Sequence, residues 1–152
     1  MLEYSKNESW MLEAFKQAEK AYACDEVPVG CIIVYDNKVI GKGHNLVEKL
    51  KDSTAHAEML SITSAANYIN DWRLNDCSIY VTKEPCIMCF GAILNSRIKN
   101  LFYGVEDLSN GFQVKVVNRY LFSKHLETIQ SGILDNKCKS ILKDFFEQKR
   151  KK

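Results

Sequence analysis

A three-layer α/β/α sandwich around a mixed five-stranded sheet is the fold class this sequence predicts. Runs rich in β-branched residues alternate along the chain with segments of helical period, which places helices against a central sheet. The first two runs also flank a tight polar turn, as in a hairpin. No repeat, low-complexity stretch or linker interrupts the 152 residues, so residues 1–152 are expected to form one domain of ordinary size.

Each element has a local cause. Trp10, Met11, Ala14, Phe15, Ala18 and Tyr22 recur at helical spacing, with Lys16, Glu19 and Lys20 between them, which predicts an amphipathic first helix. "VGCIIVYD" and "KVIGKGHN" flank Asp36-Asn37 and predict the hairpin. Lys49 to Thr54 is polar and loop-like. The Ala-, Met-, Leu- and Ile-rich segment from Ala55 to about Tyr68 predicts a second helix. "CSIYVT" (Cys77 to Thr82) predicts a buried strand. "CIMCFGAILN" (Cys86 to Asn95) predicts a third helix, with Pro85 just before its start, where proline is tolerated. "NLFYGV" predicts the next strand, and Leu108 to Phe122 carries no clear pattern. "HLETIQS" predicts a fifth strand, Gly132 punctuates it, and a basic helix is expected over about 133–152.

Apolar residues make up 46% of the chain and aromatics 11%, enough for a packed core. No run reaches the roughly 18 apolar residues of a membrane span. The N-terminal "MLEYSKNESW" lacks an apolar signal core. A cytoplasmic location is therefore expected. The net charge of +2 is unevenly placed, with seven basic residues against two acids from Lys137 to Lys152. A polyanion would be expected to dock near the C-terminus, although a solubilising tail explains the same run.

Six cysteines in such a chain need a reason, since cytosolic disulfides are uncommon. Cys24, Cys31, Cys77 and Cys138 stand singly among apolar neighbours and are expected to be buried filler. Cys86 and Cys89 form Pro-Cys-x-x-Cys. That pattern fits a redox pair, half of a four-cysteine zinc site, or two metal ligands completed elsewhere. No second CxxC occurs. His56, in "TAHAEM", also opens a helix that follows a strand, so it is the natural third ligand. Helix N-termini carry partial positive charge and favour thiolates. Zn²⁺ with two thiolates and a neutral imidazole is electrically neutral, and three protein ligands leave a fourth position for water. Zinc lowers the pKa of that water to about 7. Glu58, two residues beyond His56, is placed to carry its proton. A histidine and glutamate at this spacing also occur in ordinary helix starts, so the two motifs argue together rather than singly.

The combination H-x-E…P-C-x-x-C resembles the signature of zinc nucleobase deaminases. "EVPVGCIIVYDNKVIGKGHN", "TAHAEM", "YVTKEPCIMCFGAILNSRI", and "GIL" followed by "LKDFFEQKRKK" extend the resemblance over most of the chain. Together they resemble the bacterial tRNA-specific adenosine deaminases, within the cytidine deaminase-like superfamily. The resemblance implies one Zn²⁺ per chain on His56, Cys86 and Cys89, with Glu58 as general acid/base. It implies that Asn45 hydrogen-bonds a flipped base, that Val29 and the backbone near Ala57 and Pro85 line the base pocket, and that Asp107 lies near the substrate loop. Phe145, Phe146, Lys149 and Arg150 match the family's RNA-facing C-terminal segment, although Phe145 and Phe146 would serve equally as core anchors of the last helix. A homodimer is implied, with the helix after Cys86 near the interface, which the apolar stripe Ile93, Leu94 and Ile98 would suit, although core packing explains that stripe equally well.

The activity implied is hydrolytic deamination of adenosine to inosine at the wobble position of a tRNA. Three departures from the family pattern stand near the expected nucleic-acid path. Phe112, Gln113 and Val114 replace small residues after Asp107, Phe90 replaces a small residue after the second cysteine, and Glu106 replaces a frequent basic residue. They motivate an alternative, in which the same zinc site deaminates a free nucleobase or nucleoside such as guanine, cytosine or guanosine.

Overall fold

A computed structural model of the chain describes residues 3–116 and 124–151. The elements run α1 (Lys6–Ala23), β1 (Gly30–Tyr35), β2 (Lys38–His44), α2 (Val47–Leu50), α3 (Ala57–Ile69), β3 (Ser78–Lys83), α4 (Ile87–Asn95), β4 (Asn100–Val105), α5 (Phe112–Lys115), β5 (Thr128–Gln130) and α6 (Asp135–Arg150). The five strands form one mixed sheet in the order β2-β1-β3-β4-β5. β1 pairs antiparallel with β2 and β3, whereas β3–β4 and β4–β5 are parallel.

Both faces of the sheet are covered. Ile32, Val34, Tyr80 and Phe102 face one side and pack with Met11 and Ala14 of α1 and Cys138 of α6. Cys31, Ile33, Ile79, Val81, Leu101 and Tyr103 alternate with them and face α3, α4 and α5. Period-2 alternation therefore sorts apolar residues between two buried layers. That is why the strands read as nearly continuous apolar runs.

Local chemistry sets the element ends. Ser5 and Glu8 form a capping box, the Ser5 hydroxyl accepting from the Glu8 N–H at 3.1 Å and the Glu8 carboxylate from the Ser5 N–H at 3.0 Å. The S-x-x-E spacing was a legible start signal, and it begins the helix earlier than the apolar period alone predicts. Asp36 and Asn37 both have positive φ, as a type I′ hairpin turn requires. The loop expected over Lys49 to Thr54 begins inside the short helix α2. Phe112 opens the short helix α5 in the unpatterned stretch, whose end, from residue 117, lies outside the described residues. β5 is shorter than expected, and α6 starts two residues late because Gly132 and Leu134 have positive φ.

Several packing expectations change. Cys31, Cys77 and Cys138 are buried, but Cys24 is exposed, because it caps the C-terminus of α1. Ile93 and Ile98 are fully buried core residues, so they form no interface stripe. Phe112 is 1% exposed and stacks on Phe90 with ring centroids 4.0 Å apart and planes 2° from parallel. Tyr103 meets Phe112 edge-on. The departures at positions 90 and 112 are thus one interior contact. No helix among the described residues is long and apolar enough to cross a membrane.

Candidate metal centre and substrate cleft

Two helix starts bring the candidate ligands together. His56 is the N-cap residue of α3 and Cys86 the N-cap residue of α4, both with extended backbone, and neither side chain caps its helix. Each is thereby free to point across the gap. Cys89 stands one turn into α4. Both helices begin slightly later than the sequence suggests, which turns both residues from helical positions into cap positions.

His56 Nδ1 lies 3.6 Å from Cys86 Sγ and 3.5 Å from Cys89 Sγ. A tetrahedral zinc with Zn–S of about 2.3 Å and Zn–N of about 2.0–2.1 Å would set N and S about 3.6 Å apart. The three donor atoms fit one ion, and the group could hold a metal. Hydrogen bonding with Cys89, and next with His56, holds the Cys86 thiol down at about 3. The Cys89 thiol is pushed up by its bond with Cys86 and by burial. The Cys86 contact raises the His56 imidazole above its usual range.

Glu58 is buried in the first turn of α3. Burial raises its carboxyl above the usual glutamate range, which suits a group that must both accept and release a proton. Two glycines of β2 let α3 come this close. A Cβ on Gly43 would lie 2.8 Å from Ser61 N and closer still to the Ala57 carbonyl, and one on Gly41 would press on Ser61 and Ala65. The histidine and the glutamate are therefore delivered by close helix-on-strand contact.

These groups border a cleft of ≈1090 Å³ lined by Val29, Asn45, His56, Glu58, Lys83, Cys86 and Asp107, among others. Asn45 follows β2, and its N–H donates to the Val29 carbonyl at 3.2 Å, so the two arrive as a pair. Ala57 and Pro85 are buried and are absent from the lining. The Pro85 carbonyl accepts from Phe112 N–H at 2.9 Å. Asp107 pairs with Lys83 at 3.1 Å and accepts from the Ser109 and Asn110 N–H groups. These contacts draw its carboxyl below the usual range against the opposing effect of burial.

The C-terminal candidates divide. Phe145 and Lys149 line the cleft. Phe145 is buried and meets Tyr22 edge-on. Lys149 is paired with Asp25 at 2.6 Å. Phe146 is 43% exposed, and Arg150 is exposed and outside the lining. The sequence reading missed Glu26 and Glu84, two buried carboxylates on the cleft wall. Glu26 accepts from the Glu48 and Lys49 N–H groups at 3.0 and 2.8 Å. Nothing local in the sequence marks an acid as a backbone acceptor for a distant loop.

Comparison with known proteins agrees with this geometry. A family model described as MafB19-like deaminase matches residues 5–150. A tRNA-specific adenosine deaminase of Rickettsia typhi is 43% identical over 145 residues, covering 92% of this chain and 97% of that protein. Another from Bacillus subtilis is 38% identical over 150 residues, covering 97% and 93%. A solved structure from a study of tRNA:A34 deaminases matches with a TM-score of 0.80 and 36% identity, covering 88% of this chain and 99% of that one. Motif, fold and relatives coincide over nearly the whole length, and the chain belongs to the MafB19-like deaminase family, among the bacterial tRNA-specific adenosine deaminases.

Proposed function

We propose that this protein hydrolytically deaminates adenosine to inosine at the wobble position of a tRNA, with one Zn²⁺ per chain on His56, Cys86 and Cys89. The observation that carries the chemistry is the set of three converging donor atoms with a buried carboxyl, Glu58, beside them on an open cleft. When bound, zinc supplies a Lewis acid that lowers the pKa of water to about 7. Glu58 would take one water proton at its carboxylate and give it to the adenine ring nitrogen as the water oxygen bonds to C6, and would then carry the second proton from that oxygen to the amino group, which leaves as ammonia when the C6–N bond breaks. Asn45 offers an amide donor and acceptor to the base edge, and Val29 supplies an apolar wall. The base must be extruded from its loop, which costs least where it is already unpaired.

The relatives' substrate supports the RNA reading. The free-base alternative loses its motive at positions 90 and 112, since both side chains are interior. Phe146 and Arg150, exposed at the end of α6, are proposed to meet RNA, and Lys149 to do so by exchanging Asp25 for phosphate. Phe145 is proposed to shape the cleft wall from within. A homodimer is proposed through the outward side of α4, where Ile87 is exposed and Gly91 has nothing near it.

The test is mass-spectrometric detection of inosine after incubation with an anticodon stem-loop RNA. Parallel arms contain single-stranded DNA, free adenosine, guanine and cytosine. Conversion of the RNA, with binding that weakens steeply with salt, is the expected result. Turnover of a free base with no conversion of RNA would overturn the reading.

A further inference from the structure

Glu84 is a buried acid that makes no ion pair among the described residues. It is 5% exposed and lies between Lys83, the last residue of β3, and the Pro85-Cys86 turn. Its Oε1 accepts from the Asp107 N–H at 3.0 Å and its Oε2 from the Gln113 N–H at 3.0 Å. One carboxylate therefore binds both ends of the Asp107–Gln113 loop. Two further attachments run from the same turn to the same loop. Gly111 bridges Cys86, and Phe112 stacks on Phe90. The loop carries Asp107 and Asn110 on the cleft wall.

We propose that Glu84 is a positioning residue of the substrate cleft: its carboxylate locks the Asp107–Gln113 loop onto the Cys86 turn and so fixes the rim that an RNA loop must meet. The proposal rests on the RNA reading above. Hydrogen bonds to a carboxylate are about twice as strong as neutral ones, and two of them hold this loop in its binding shape before substrate arrives. Without them the loop must be ordered at the moment of binding, which weakens apparent affinity. His56, Glu58 and Cys89 stand on α3 and α4 and take no support from these two bonds. The burden falls on KM more than on kcat.

Glu84→Gln keeps the side-chain shape but turns one acceptor into an amide that faces a backbone N–H. Gly111→Ala attacks the same contact from the other side. Gly111 has φ −65° and ψ 154°, which alanine adopts freely. The new Cβ would overlap Glu84 Oε2 and lie 2.5 Å from the Asp107 carbonyl. For both variants, zinc content stays at the wild-type level, KM for the stem-loop RNA rises at least tenfold, and kcat changes less than about threefold. Amide exchange at Asp107 and Gln113 accelerates at least tenfold in Glu84→Gln.

A purely structural role would lower Tm and leave KM unchanged well below it. Unchanged KM in a folded, zinc-loaded variant overturns the proposal, as does loss of zinc from both folded variants. Should Glu84→Gln not fold, Gly111→Ala alone decides. Failure of the wild-type protein to convert RNA overturns the RNA reading instead, and amide exchange then decides the clamp on its own.

Discussion

Replacing Gly43 by alanine tests how the metal centre is assembled. The residue sits in β2, paired with Cys31 of β1, and its φ is not in the left-handed region, so the backbone tolerates a side chain. Space does not. The new Cβ would stand 2.8 Å from Ser61 N and closer to the Ala57 carbonyl, both backbone atoms of α3. Ordinary contact at about 3.4 Å requires the start of α3 to retreat by roughly 0.6 Å or more, because a packed interior absorbs little such strain. Ala57 lies between His56 and Glu58, so both move with it, while the thiols on α4 stay. Metal sites tolerate distance errors of about ±0.2 Å, and a misplacement near 1 Å can cost about 100-fold in rate. The expected outcome is a zinc affinity at least about tenfold weaker, turnover lower by one to two orders of magnitude, and a stability loss of about 1–3 kcal/mol. Competition with a chromophoric chelator, inosine formation and thermal unfolding measure the three quantities. A folded Gly43→Ala protein with wild-type zinc affinity and turnover would refute the reasoning that glycine sets this approach.

Other perturbations separate the remaining roles. Glu58→Ala should retain zinc and lose about 10²–10⁴-fold in turnover; near-normal activity would remove Glu58 from the mechanism. Cys86→Ala should lose zinc as well as activity, which metal analysis of the purified protein will show. Gly91→Ala, in an α4 position with nothing within 4 Å, should raise stability by about 0.5–1 kcal/mol, measured by urea unfolding of the isolated chain. His44 is held below its usual 6.5 by burial and next by Lys20. The unfolded chain then takes up this proton more readily than the folded one, so the stability His44 contributes is present above 6.5 and lost as pH falls through its lower folded value. His44→Gln should flatten that part of the stability–pH curve, and an unchanged slope would remove His44 as its source.

The features that the sequence alone determined are those whose cause is local. His56 and Glu58 share one helix opening, Cys86 and Cys89 another, and Asp36-Asn37 forces a turn, so spacing and residue type suffice to read them. The helix–strand alternation and the period of α1 are local in the same sense. Tertiary structure decided the rest, because each remaining fact depends on what a distant segment presents. Phe90 and Phe112 looked like two separate departures near the substrate, but 22 positions apart in the sequence they stack on each other in the core. Ile93 and Ile98 read equally well as interface or interior until the sheet covered them. Glu26 and Glu84 are acids with no local signature, and only the return of the chain gives their carboxylates the backbone N–H groups that make burial tolerable. The chemistry of the site was legible in the motifs, and the shape of the cleft around it was not, because hydrogen bonds and ring stacks between remote residues leave no periodic trace in the sequence.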